Sequence, residues 1–128
     1  MQQAASYKRL LIDGVRYYGK HLVLTAESCN ENLLSVEYIA AFMQDLVVKI
    51  DMVAFGDPVA ARFGQGDEVG ISAVQLIETS AIVIHTNDAA RDMYLDVFSC
   101  KGFSEEMVRD VIQDAFEPHS MNSQVLLR

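Results

Sequence analysis

Apolar side chains recur at two spacings along the chain, and each spacing predicts a different element. After Ser35, the residues Ile39, Phe42, Met43, Leu46, Ile50 and Val53 fall three or four apart, which is the repeat of one helix face. Ser35 can cap that helix, and Gly56 is placed to end it through a positive φ. A second helix opens at Ser104, with Glu105 and Glu106 in its first turn, where the helix dipole favours anions. Its buried stripe is Met107, Val108, Val111, Ile112, Ala115 and Phe116, and Pro118 bars its continuation.

Short runs rich in Ile and Val predict strands over residues 21–26, 71–77, 81–86 and 93–100, with a last one at 124–127. Asp57-Pro58 breaks the chain, and then Val59, Ala61 and Phe63 alternate with Ala60 and Arg62, as in a half-buried strand. Residues 64–70 (GQGDEVG) read as a loop. Residues 1–20 leave two readings open: Asp13-Gly14 can turn a hairpin, and residues 7–18 also tolerate a helix. The order is strand, helix, four strands, helix, strand. It predicts an α+β two-layer sandwich, a mainly antiparallel sheet with both helices on one face. The other face must be solvated or meet a second sheet. Val74, Leu76, Ile82 and Ile84 are apolar enough for a homodimer through the sheet face.

The 128 residues predict one domain, with 51% apolar and 22% charged side chains to fill and solvate it. A chain of this size buries about two-thirds of its surface on folding. The net charge of −8 argues against nucleic acid, which needs a phosphate-neutralising surface, and favours cationic small molecules. No apolar run is long enough to span a bilayer, and charges interrupt the first 26 residues where a signal peptide would need an apolar core. The expectation is a cytoplasmic protein with no membrane partner. Cys29 and Cys100 allow one disulfide, but in a reducing compartment they read as two free thiols. His21, His85, His119 and the cysteines lack the close paired spacings of zinc sites, so no metal is expected. The glycines of 64–70 are off the dinucleotide spacing and lead into a strand. Asp67 and Glu68 among them would repel phosphate.

Residues 70–103 hold Ser72, Ser80, His85 and Cys100 in one compact three-strand stretch. A turn at residues 87–92 would make pairing partners sum to about 179 or 180. Ser80 then lies across from Ser99 or Cys100. By spacing alone these can be ordinary small polar strand residues. The segments Gly70-Ile71-Ser72-Ala73, Thr79-Ser80, Ile84-His85-Thr86 and Asp96-Val97-Phe98-Ser99-Cys100 nevertheless resemble, without a gap, the core of the small prokaryotic S-adenosylmethionine decarboxylases. Those enzymes are self-processing, pyruvoyl-dependent lyases of polyamine synthesis. His21-Leu22-Val23 and Cys29 fit that family's first strand and following cysteine, so the likeness covers roughly residues 20–116, with 1–20 as an N-terminal extension.

The resemblance implies a zymogen cleaved between Thr79 and Ser80, with Ser80 becoming a pyruvoyl group that replaces pyridoxal phosphate as electron sink. It implies proton transfer by His85, assistance from Ser72, and Cys100 as the acid that reprotonates the product carbon. It implies no metal, a small-molecule amine substrate and a homodimer. Ser80 and His85 are five apart, on opposite faces of an ideal strand and about 16 Å distant. The backbone around residues 79–81 is therefore expected to be irregular.

The chain departs from the family at the residue before the processed serine, where only the backbone carbonyl takes part in cleavage, and at the positions where the nucleoside would sit. The family's Glu, Trp-Pro-Glu and upstream aromatic residue are replaced by Thr79, Asn87-Asp88-Ala89 and Gly66. The substrate is then S-adenosylmethionine or a smaller basic amino acid such as ornithine or arginine, with Asp67, Glu68 and Asp88 as candidate substrate-binding acids. The alternative is an unprocessed, non-catalytic homologue that binds a ligand or regulates a partner.

Overall fold

A computed structural model describes residues 7–128; the first six residues of the extension lie outside the described residues. The elements are β1 (Leu10–Ile12), β2 (Val15–Tyr17), β3 (Lys20–Glu27), α1 (Val36–Lys49), β4 (Val59–Phe63), β5 (Gly70–Ile77), β6 (Ser80–Asn87), β7 (Asp92–Ser99), α2 (Glu105–Phe116) and β8 (Ser120–Leu127). β4 to β8 and β3 form one six-stranded sheet in the order β4-β5-β6-β7-β3-β8, and every pairing is antiparallel. β1 and β2 make a separate hairpin.

Both helices lie on the same side of the sheet. Ile39, Met43 and Leu46 of α1 and Val108, Ile112 and Phe116 of α2 share one buried cluster with alternate strand residues such as Leu22, Ile82, Ile84 and Leu95. Ser35 caps α1, its Oγ accepting from the Tyr38 N–H at 3.0 Å, and Ser104 caps α2 through Met107 in the same way. α1 stops well before Gly56. The Met52 and Asp51 N–H groups donate back to the Val47 and Val48 carbonyls around a left-handed Asp51, φ 60°. Val53 falls outside the helix and is exposed, while Gly56 takes its positive φ in the loop beyond. Met107 of the predicted α2 stripe is 38% exposed.

Among the described residues, no helix packs on the opposite face of the sheet. Val74 and Leu76 are exposed on it, whereas Ile82 and Ile84, expected to share that surface, are fully buried beneath the helices. Their even numbers fix this, because β6 pairs Ile82 with Gln75 and Ile84 with Ala73, both buried. β4 alternates as expected but with the opposite sense. Ala60 packs on the core and Arg62 points to the helix layer, reaching the Leu34 carbonyl, while Val59 and Phe63 are exposed on the open face.

Of the two readings of the extension, the hairpin is the one found. Ile12 pairs with Val15 across Asp13 and Gly14, φ 52° and 80°, the left-handed pair that a two-residue turn requires. Cys29 and Cys100 are free and buried.

Candidate active site

Ser80 heads β6 directly after the two-residue turn Glu78-Thr79, with Ile77 as its partner. Thr79 is left-handed, φ 61°. A β-branched residue rarely adopts this conformation, at a cost of roughly 1–2 kcal/mol. The irregularity expected around residues 79–81 is thus confined to Thr79. From Ala81 to His85 β6 is paired on both sides without a bulge.

The β6–β7 register sums to 179, as in Ala81 with Phe98, which sets Ser99 opposite Ser80 and Cys100 one position beyond. The Cys100 N–H donates to Ser80 Oγ at 3.1 Å. The Cys100 Sγ lies 2.8 Å from Thr79 Oγ1, which itself donates to the Glu78 carbonyl at 2.6 Å. Either atom can donate: the Thr79 hydroxyl accepts from the thiol while it is bonded to Glu78, and turns its one proton to the sulfur when the thiolate forms. Arg9, carried by the segment entering β1, donates through Nη2 to the same sulfur at 2.8 Å. Burial pushes the Cys100 thiol up, but the hydrogen bonds from Thr79 and Arg9, the Arg9 charge and the Ser80 hydroxyl outweigh it, and the net direction is down. A cavity of about 260 Å³ opens beside these groups, lined by Arg9, Met52, Val53, Glu78, Thr79 and Lys101. Lys101 is held to Asp51, 3.3 Å from its carboxylate.

Ser72 and His85 form a second group. They are direct cross-strand partners on the open face, with Ser72 Oγ 2.9 Å from His85 Nδ1. Five positions of regular strand separate His85 from Ser80, and the two point to opposite faces. Within one chain the structure therefore brings together Ser80, Thr79 and Cys100, and separately Ser72 and His85. It does not join the groups.

Asp67, Glu68 and Asp88 sit at the His85 end of the sheet, away from Ser80. Asp67 and Glu68 lie in the short turn before β5, and the Asn87 side chain donates to the Asp67 carbonyl at 2.8 Å. Asp88 is engaged by the Arg62 guanidinium at 3.0 Å. Among the described residues no three His, Cys, Asp or Glu side chains gather as a metal site, and no helix is long and apolar enough to cross a membrane.

Arg9 was not legible as a site residue. A signal existed all the same. A turn at Asp13-Gly14 folds residue 9 back beside residue 18, next to Lys20, whose partner is Ser99. Glu78 and Lys101, which line the cavity, were also not anticipated.

Comparison with known proteins gives this geometry its context. An arginine decarboxylase proenzyme of Caldivirga maquilingensis is 31% identical over 102 residues, spanning 77% of this chain and 74% of its own. The crystal structure of the adenosylmethionine decarboxylase of Aquifex aeolicus matches with a TM-score of 0.76 over 89% of this chain and 92% of that one. At 21% identity this likeness speaks to the fold, the same α+β sandwich. The S-adenosylmethionine decarboxylase family model matches residues 20–128, and the chain belongs to that family of carboxy-lyases.

Proposed function

We propose that this chain is a self-cleaving, pyruvoyl-dependent decarboxylase acting on a basic amino acid, with arginine the first candidate. The observation that carries the reading is the convergence of Ser80 Oγ, the Cys100 N–H and thiol, and a strained Thr79 at one peptide bond. In cleavage, Ser80 Oγ adds to the Thr79 carbonyl carbon and gives up its proton. The C–N bond breaks, and the ester formed is opened by loss of the Ser80 Cα proton. Residues 1–79 leave with a carboxylate end. Water then releases ammonia from the residue left at position 80.

The residues present fit the resulting group, since a backbone donor and a thiol already flank position 80. The pyruvoyl carbonyl supplies an electron sink for the departing carboxylate. Cys100 is placed to return a proton to the product carbon, and the Arg9 and Thr79 contacts that lower its pKa suit a group that must release one. His85, with Ser72 on Nδ1, is the proton carrier for cleavage. Because it cannot reach Ser80 of its own chain, it serves the Ser80 of a second copy. The bare open face, with Val59, Phe63, Val74, Leu76 and Tyr94 exposed, supports a homodimer through that face.

The substrate reading rests on three observations. The net charge is −8, the positions that would carry nucleoside-stacking rings hold Gly66 and Asn87-Asp88-Ala89, and a relative is named an arginine decarboxylase proenzyme. Asp67 and Glu68, at the His85 end, would come to the site with the partner's histidine; Asp88 is already neutralised by Arg62.

Intact-mass measurement is the test, followed by carbon dioxide release from arginine, ornithine and S-adenosylmethionine side by side. Two fragments split before Ser80, with Ser80→Ala whole and inactive, are expected. A single 14.3 kDa species after long incubation would overturn the reading in favour of a non-catalytic homologue. Release from S-adenosylmethionine alone would overturn the substrate.

A further inference from the structure

We propose that Arg9 is a positioning residue for Cys100: the N-terminal hairpin carries its guanidinium onto the sulfur and holds it, charged partner in place, beside the Thr79–Ser80 bond. This rests on the reading of Ser80 and Cys100 as the working pair. Arg9 lies outside the family-matched residues 20–128, so the contact is an addition to the shared core.

The hairpin shares no ladder with the main sheet; side chains and a few backbone bonds dock it. Tyr18 stacks between Tyr7 and Phe98, the Tyr18 and Gly19 N–H groups donate to the Arg128 carbonyl, and Lys20 reaches the Phe103 carbonyl at 2.7 Å. These contacts set the hairpin at the end of the sheet where Cys100 leaves β7. The Arg9–Cys100 bond then crosses 91 positions of sequence to reach the site itself.

A guanidinium suits this task because it stays charged at every working pH and its planar fork loses little freedom on binding. The other charged groups near the sulfur are Glu78 on the β5–β6 turn and Lys101, which is held by Asp51 after α1. Arg9 is the charged group that hydrogen-bonds to the sulfur itself. Its charge favours the thiolate, and its bond fixes where the sulfur sits.

The test follows the rate of Cys100 alkylation against pH in the full-length protein, with the labelled peptide identified by mass. Arg9→Gln keeps a donor, on a stem two bonds shorter, and removes the charge. Its midpoint is expected to rise by about one pH unit, so that labelling below the midpoint slows roughly tenfold. Arg9→Lys should restore most of the loss, and Arg16→Gln, on the same hairpin, should match wild type. A purely structural hairpin would change the plateau rate through access and leave the midpoint alone. Superimposed midpoints for wild type and Arg9→Gln would overturn the proposal. Should Arg9→Gln lose its fold by circular dichroism, Arg9→Met, which keeps an unbranched stem and removes the charge, carries the test, with a similar rise expected and none overturning it. A chain that stays whole while Arg9→Gln shifts the midpoint sinks self-cleavage alone. A cleaved chain with unshifted midpoints sinks only the role of Arg9.

Discussion

The two cysteines occupy opposite electrostatic settings. Cys29 is 5% exposed, and burial, with the nearby Asp92 charge adding to it, pushes its thiol up from 9.0 to about 11. Cys100 is as buried but is drawn the other way by Thr79 and Arg9. A raised thiol keeps its proton in the folded chain while the unfolded chain loses it, so its contribution is intact below pH 9 and is lost as pH rises toward 11. Denaturant titrations between these values should find on the order of 2 kcal/mol of stability lost, and Cys29→Ala should remove that alkaline limb. The nearness of Ser80 to Ser99 and Cys100 was legible in the sequence because antiparallel register is arithmetic once the turn is placed; the sum found is 179, which sets Ser99 opposite and Cys100 one position beyond. The thiol's partners were not. Thr79 was read for its carbonyl alone, and its hydroxyl reaches Cys100 only because a left-handed turn aims it there.

At the level of elements, β5 and β6 carry Ser72, His85 and Ser80, and the close approach of the two strands depends on Gly70. A Cβ at Gly70 would lie 1.8 Å from the Thr86 carbonyl oxygen, a backbone atom that cannot step aside. Gly70→Ala should therefore cost about 3 kcal/mol or more in chemical denaturation. It should also disturb the Ser72–His85 pair, visible as a changed His85 ring resonance in NMR titration. The helices and the six strands of the main sheet were legible from periodicity and capping residues. The end of α1 was not, since Asp51 adopts the conformation that Gly56 was expected to supply, and the buried Ile50 closes the helix first. The sense of β4 was hidden too. Arg62 counts as polar in any pattern, yet its stem lies over the helix layer and its head finds Leu34 and Asp88.

At the scale of the whole molecule, one chain holds the Ser80–Cys100 group and the Ser72–His85 group apart. If a second copy supplies the missing histidine, two broken chains should repair each other. Ser80→Ala and His85→Ala, each expected to stay whole alone, are refolded together, and mass spectrometry should then find the His85→Ala chain cut and the Ser80→Ala chain intact. Failure of either chain to be cut in the mixture would place the proton transfer within one copy. The strand order has a further consequence. Residues 1–79 provide β4, β5 and β3, residues 80–128 provide β6, β7 and β8, and β3 is inserted between β7 and β8. The two segments are interleaved like the fingers of clasped hands, with β5–β6, β3–β7 and β3–β8 ladders all running between them. A nick at residue 79 opens no seam, and the halves could separate only by unravelling the sheet itself.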